Sequence, residues 1–320
     1  MNEQQNMDIE SQQLRDAVAR AVVGQEEVIE EVLIALLAGG HVLLEGVPGL
    51  GKTLLVRALA RAVSGEFARI QFTPDLMPAD VVGHVLYDMK AEEFTVRRGP
   101  VFTNLLLADE INRAPAKTQS ALLEVMQEYQ VTLEGEGMRV PLPFMVLATQ
   151  NPVEQEGTYP LPEAQLDRFL LKIRIDYPAE DEEIDLVRQV TAGAVGDALN
   201  VSAVEAVLSP DQLAALQRRA ANLAVDPEVV RYAVAIARRT REGQGVALGA
   251  GPRGGIALIR AARAAALLDG RDFVLPDDVK RVALPALRHR VLLSPELELE
   301  GRDPDDVLLA ILDQVQAPRQ

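Results

Sequence analysis

Five short, mostly apolar runs punctuate the first part of the chain: His41–Glu45, Ala68–Phe72, Leu105–Ala108, Phe144–Thr149 and Leu170–Ile175. They lack a clean apolar–polar alternation, so both faces of each predicted strand are expected to be buried, as in a parallel sheet covered by helices. Amphipathic stretches separate them. Leu14–Val23 predicts a short helix that Gly24 and Gln25 break, Glu26–Leu37 resumes the helical period, and Gly39-Gly40 ends it. Lys52–Val63 is a further helix. Two segments alternate in the manner of hairpins: one between His84 and Arg98, bounded by Gly83 and Gly99-Pro100, the other between Gln130 and Pro143, with Gly135 and Gly137 at its turn.

Beyond Asp176-Tyr177-Pro178 the strand pattern ends and Ala/Leu/Arg-rich helical periods follow: Asp181–Val190, Pro210–Leu223, Pro227–Thr240, Arg253–Leu268 and Pro276–Leu287. The expected architecture is therefore α/β, with a parallel-sheet core over residues 1–178, which carries an N-terminal helix and two β-hairpin inserts. An all-α unit is expected over 179–320.

The first apolar run leads into Gly46-Val47-Pro48-Gly49-Leu50-Gly51-Lys52-Thr53, a full match to G-x-x-x-x-G-K-[ST] between strand and helix. Its glycines let backbone N–H groups turn toward phosphates, and the helix N-terminus adds its positive dipole end. Lys52 is placed to reach the β- and γ-phosphates and the Thr53 hydroxyl to ligate magnesium, with Leu54 directly behind. The run Leu105–Ala108 ends in Asp109-Glu110. Asp109 is expected to hold the magnesium shell, directly or through water, and Glu110 to polarise the attacking water as general base.

Asn151 follows the strand Phe144–Thr149. Its amide points at the γ-phosphate if that strand lies beside the Asp109 strand; otherwise it is a loop residue opening a turn before Pro152. Val22, Val23 and Gln25 fit an adenine wall and a packed helix junction equally well. Arg168, just before the last strand, and Arg253, at the head of a long helix, have the planar fork that suits phosphate. As isolated residues they fit surface ion pairs as well.

Composition narrows the alternatives. A net charge of −16 argues against a nucleic-acid motor, whose phosphate contacts call for a basic stripe. Arg97-Arg98 and Arg238–Arg241 read as solvated charged faces. The chain has no cysteine and only three histidines, His41, His84 and His289, at no metal-ligand spacing, so disulfides, thiolate sites and a histidine-held catalytic metal drop out. No apolar run reaches the roughly 20 residues of a membrane span, and MNEQQNMDIE is no signal peptide, which points to the cytoplasm.

Taken together, the phosphate loop, Asp109-Glu110, Asn151, Arg168 and Arg253 fall in the order found in AAA+ ATPases. The stretches 72–80 (FTPDLMPAD), 107–113 (LADEINR), 148–152 (ATQNP) and 162–168 (PEAQLDR) resemble the MoxR branch of that family. The resemblance covers nearly the whole chain. It implies a sheet ordered 5-1-4-3-2, a helical lid, and a hexameric ring that hydrolyses ATP with magnesium at subunit interfaces. By resemblance, Gly46–Thr53 is the Walker A loop, Asp109-Glu110 the Walker B pair, Asn151 sensor 1, Arg168 the arginine finger and Arg253 the sensor 2 arginine. The hairpins match the helix-2 and pre-sensor-1 insertions. Gly254-Gly255 departs from the helix formers that relatives often carry after that arginine. The branch is associated with chaperone-like remodelling of proteins, often with a partner bearing a von Willebrand factor A-type domain. An ATPase subunit of a metal-chelatase-like complex is the alternative the resemblance leaves, with a nucleic-acid motor or a slow nucleotide switch behind it.

Overall fold

The structure is a computed structural model and describes residues 3–22, 24–47, 49–90, 92–151, 157–191, 201, 203–243 and 245–318. Helices α1 (Glu3–Ala19) and α2 (Glu26–Leu37) precede β1 (Val42–Glu45), and α3 (Lys52–Ala62) leads from it to β2 (Phe67–Gln71). Helix α4 (Pro78–Val82) carries the hairpin β3 (Gly83–Asp88) and β4 (Glu93–Arg98). Strand β5 (Leu105–Asp109) and α5 (Ala116–Glu128) are followed by the second hairpin, β6 (Gln130–Leu133) and β7 (Glu136–Arg139). Strand β8 (Met145–Gln150), the short α6 (Glu163–Leu166) and β9 (Leu171–Arg174) complete the α/β part.

After α7 (Glu180–Thr191) come α8 (Pro210–Asn222), α9 (Pro227–Glu242), β10 (Val246–Leu248) and α10 (Pro252–Leu268). The chain ends with α11 (Pro276–Arg281), α12 (Ala283–Leu287), β11 (Leu292–Leu293), α13 (Pro295–Leu299) and α14 (Pro304–Gln314). Among the described residues no helix is long and apolar enough to cross a membrane.

The main sheet is parallel, in the order β2-β5-β8-β1-β9. Counted over its own five strands this is 5-1-4-3-2 read from the β9 edge, as expected. Strand alternation assigns the core. Leu105, Leu107, Met145, Leu147, Val42 and Leu44 join the larger apolar cluster with α1–α3 and the C-terminal helices. Their neighbours Leu106, Ala108, Val146, Ala148 and Leu43 join a second cluster with Val81 of α4 and Leu122 and Met126 of α5. Successive side chains point to opposite faces, so a strand covered on both sides must be apolar throughout.

Five details depart from the sequence expectations. The unit after residue 178 is not all-α, because β10 and β11 pair antiparallel within it. The first helix runs Glu3–Ala19 rather than Leu14–Val23. Its polar opening has no apolar period, yet Glu and Gln are good helix formers, and Leu14, Ala17 and Val18 anchor the segment in the core. Pro276–Leu287 is two helices broken at Val282 (φ −92°, ψ 0°), because Pro285 supplies no N–H to continue the first. The second hairpin turns at Glu134-Gly135, both at positive φ (49° and 85°), while Gly137 sits in β7 opposite Thr132. Finally, α10 begins at Pro252 and holds both glycines. A Cβ on Gly254 would lie 2.9 Å from Ala250 Cβ and 3.1 Å from a Leu287 methyl, so close packing explains the missing side chain.

His41, ahead of β1, is fully enclosed between strand and helix. Its Nδ1 accepts from the Val146 N–H at 3.0 Å and its Nε2 donates to the Met126 carbonyl at 3.0 Å, which ties β1, β8 and α5 together. Burial pushes its pKa down from 6.5 to about 4, and His289 is lowered well below 6.5 for the same reason, helped by Arg290 beside it. Above pH 6.5 both imidazoles are neutral in the folded and unfolded chains. Below it the unfolded chain takes up protons that the folded chain refuses, so stability falls with pH. His41 alone accounts for about 3 kcal/mol lost between pH 6.5 and 4. Urea unfolding across that range is expected to show this loss, and His41→Gln to reduce the slope by about one proton; an unchanged slope would contradict it.

Candidate functional site

Strands buried on both faces admit polar side chains only where they leave the sheet, and here they leave it together. Glu45 of β1 is in register with Gln150 of β8, and Asp109 of β5 with Gln71 of β2, so one edge carries the C-terminal ends. A cavity of about 350 Å³ opens there, lined by Gly49, Gly51, Lys52, Thr53, Leu54, Arg69, Gln71, Asp109, Glu110, Thr149 and Asn151. Sites at this edge are the rule for open parallel sheets.

The phosphate loop is shaped for close backbone approach. Gly49 and Gly51 hold φ at +89° and +74°, and among the described residues, chain neighbours aside, nothing stands within 4 Å of where a Cβ would sit on either. Gly46 meets the opposite constraint, since a Cβ there would be 2.5 Å from the Ile175 carbonyl oxygen. Gly51 caps α3, whose first residues are Lys52 and Thr53. The Lys52 ammonium donates to the Gly46 carbonyl. Desolvation lowers its pKa below that of free lysine, while Asp109, Glu110 and Glu45 oppose the shift. Val47 and Leu54 pack partly against the core beneath the loop, and Leu50 is buried.

Gln25 precedes α2, and its side-chain amide donates to the Leu50 carbonyl at 3.0 Å, joining the loop to the helix junction. Its Oε1 is buried with no hydrogen-bond partner among the described residues. Val22 is buried in the core, which favours the packing role for that residue. Val23, Pro48 and Pro152 lie outside the described residues.

The two carboxylates are held by residues that the sequence did not single out. The Thr149 hydroxyl donates to Asp109 Oδ1 at 2.6 Å and accepts from the Glu110 N–H at 2.8 Å. Arg69 donates to Asp109 Oδ2 from Nη2 at 2.6 Å and from Nε at 3.2 Å. The Gln71 amide donates to Glu110 Oε2 at 2.8 Å, with Arg113 3.4 Å away. Glu110 itself sits at φ +54°, a left-handed conformation uncommon outside glycine, which turns its carboxylate off the strand. Asn151 is 7 % exposed and lines the same cavity, because β8 does lie beside β5. The signal for Arg69 and Gln71 is strand adjacency: they belong to the strand next to the Asp109 strand.

Arg168 and Arg253 are elsewhere. Both line a second cavity of about 350 Å³, with Arg260, Arg290 and Asp167. Arg168 donates to the Leu123 carbonyl of α5 at 2.7 Å. Arg253 stands 3.6 Å from Asp167, which also accepts from Arg290 Nε at 2.7 Å. Eight of the expected site residues thus share one cavity and the two arginines another.

The donors in the first cavity suit a hard cation. The Thr53 hydroxyl and the Asp109 and Glu110 carboxylates are oxygen ligands, as magnesium prefers. Among the described residues no group of three or more His, Cys, Asp or Glu could hold a metal ion.

Comparison with known proteins gives a consistent result. The family model described as "ATPase family associated with various cellular activities (AAA)" matches residues 41–171, and the AAA lid domain model matches 238–311. The chain is 48 % identical to the uncharacterized protein YeaC of Bacillus subtilis over 95 % of this chain and 93 % of that one. It is 46 % identical to chaperone MoxR1 of Mycobacterium tuberculosis over 94 % of this chain and 81 % of that one. A crystal structure from Cytophaga hutchinsonii superposes with a TM-score of 0.90 at 41 % identity, covering 99 % and 97 % of the two chains.

Removing the Thr149 hydroxyl takes one partner from the Asp109 carboxylate and the acceptor from the Glu110 backbone N–H. Thr149→Val is expected to weaken magnesium–nucleotide binding about 10- to 100-fold, the usual scale for losing a group that orients metal ligands. Thr149→Ser should keep it, and calorimetry that finds all three forms alike would remove the hydroxyl from the site.

Proposed function

Because the chain belongs to the MoxR family of AAA+ ATPases, we propose that it binds ATP with magnesium at the cavity of Lys52, Asp109 and Glu110 and hydrolyses it in a ring. In that ring, a neighbouring copy completes each site. The separation of the chemistry into two cavities supports this reading. One chain gathers the phosphate loop, both carboxylates and Asn151, and keeps Arg168 and Arg253 apart from them in a cavity of their own.

The roles follow from the side chains. The loop N–H groups and Lys52 hold the phosphate chain, and Thr53 and Asp109 hold the magnesium ion. A magnesium ion bound there would supply charge neutralisation for the phosphate chain. Glu110 takes the proton of the attacking water, and Asn151 orients that water by its amide. Gln71 holds the Glu110 carboxylate in the meantime. Arg168, from the adjoining subunit, balances charge on the transferring phosphoryl group, and Arg253 from the helical part senses the same phosphate. We take the hydrolysis cycle to drive chaperone-like remodelling of a protein partner, with a von Willebrand factor A-type module as the partner class. The ring is hexameric, and the helical lid begins near residue 179.

Three variants test the division of labour. Glu110→Gln is expected to bind ATP and to turn over at least about 100-fold more slowly. Arg168→Ala should bind ATP yet lose about 10³- to 10⁵-fold in rate. Mixing Arg168→Ala with Lys52→Ala should restore part of the activity, since some interfaces then pair an intact loop with an intact arginine. Phosphate release from co-assembled mixtures that stays at the level of either mutant alone would disprove the shared site.

A further inference from the structure

Two features lie outside the chemistry described so far. A groove of about 500 Å³ runs between α9 and α10. Its floor includes Val230, Val234, Ile256 and Ile259, and three of these are exposed. Its rim is Arg238, Arg241, Arg260 and Arg263. Among the described residues no carboxylate forms an ion pair with any of the four. Arg263 Nε is also buried, with no hydrogen-bond partner among the described residues. Arg260 donates to the Ala38 and Gly39 carbonyls and Arg241 to the Ala250 carbonyl, so in a chain of net charge −16 the cluster has neutral acceptors but no paired anion, and with its apolar surface it calls for an acidic, apolar counterpart.

Helix α7 is that counterpart. Every described side chain on it is exposed, including Ile184 and Val187, and Glu180, Asp181, Glu183 and Asp185 accompany them. Ile184 and Val187 thus present apolar surface that gains from something to pack on. Its inner side is identified by Glu182, whose Cβ lies 2.9 Å from where a Cβ on Gly24 would sit. At about 100° per residue, Ile184 and Val187 lie away from Glu182 and face outward.

We propose that the α9–α10 groove receives α7 of a second copy of this chain, with Ile184 and Val187 on the apolar floor and the α7 carboxylates against the rim arginines. The proposal rests on the shared-site reading above and extends it to the contact that holds the copies together. Continuity supports it. Ile256 and Arg260 line both the groove and the cavity that holds Arg168 and Arg253. On the other side, α7 stands against Gly24, next to Gln25, which holds the phosphate loop. Each docking element therefore adjoins one half of the divided site. The contact is head-to-tail, so its repetition closes a ring where the rotation allows. It also supplies local attraction between copies whose overall charge repels.

Sedimentation velocity of the full chain, with magnesium and a slowly hydrolysed ATP analogue, tests the contact. The groove variant Val234→Glu/Arg238→Glu and the helix variant Asp181→Lys/Glu183→Lys change only exposed positions. Each is expected to weaken assembly about tenfold or more, and the combination of all four to return within about threefold of wild type, because opposed charges are then exchanged rather than lost. Calorimetry should find analogue binding to the isolated subunit unchanged in all of them. The cysteine-free chain allows a second measurement. Val187→Cys/Val234→Cys should form disulfides between copies under mild oxidation, only when the analogue is present. If wild type assembles and the charge variants assemble as it does, or if the cysteines join only within one chain, the proposed contact is wrong and the shared site stands. A groove variant that assembles normally but loses an acidic partner protein would likewise give the groove to that partner. If wild type stays monomeric with the analogue bound, both readings fall.

Discussion

A strand enclosed on both faces cannot carry a polar side chain until it leaves the sheet, and this constraint organises the molecule. Leu105 to Ala108 and Met145 to Ala148 are buried without exception, and polarity begins at Asp109 and at Thr149, whose buried hydroxyl both donates and accepts. The parallel order aligns those exits, so the loop after β1, the carboxylates after β5 and Asn151 after β8 arrive at one edge. Thr149 then provides cohesion at small cost. It is nearly fully buried, and its one hydroxyl both accepts and donates, so the Asp109 side chain and the Glu110 backbone are positioned from the neighbouring strand.

The same sheet explains why the arginines are elsewhere. Arg168 precedes β9, at the end where the strand enters the sheet, and is drawn toward the Leu123 carbonyl of α5. Helix α10 packs along α2, α8 and α9, which carries Arg253 to Asp167 rather than to the phosphate loop. Asp167 also receives the nearly buried Arg290, which in turn donates to the carbonyls of Phe169 and Leu170. The lid is thus fastened to the start of β9 by a buried guanidinium, a contact that is expensive to break on one side only.

Much of this was legible in the sequence because the strands are apolar throughout and the phosphate loop is a contiguous motif. The order of the five strands, Lys52, Thr53, Asp109, Glu110 and the neighbourhood of Asn151 follow from those two features together with the family resemblance. Arg69, Gln71 and Thr149 were not legible, since their relevance depends on which strand lies beside which. Long-range packing likewise decided where Arg253 went. Helix α14 had an available signal, Asp303-Pro304 before an apolar period with Asp306 three residues on, and the structure forms that capping box. The first helix had none, because its N-terminal half is polar and only tertiary contacts at Leu14, Ala17 and Val18 justify it.

Charge distribution links the two cavities physically. In the second, Arg168, Arg253, Arg260 and Arg290 surround the single carboxylate of Asp167. Burial lowers the pKa of Arg290, and Arg253 and Arg260 add to that effect while Asp167 resists it. An isolated chain therefore keeps unbalanced positive charge at the joint between its lid and its sheet, even though its total charge is strongly negative. A triphosphate presented by a neighbour would offset that charge where desolvation makes each pairing count for most. On this view nucleotide does more than occupy its own loop: it supplies the anion that a lid–sheet joint on the adjacent copy lacks. Assembly, lid position and the state of the phosphate then become one coupled equilibrium.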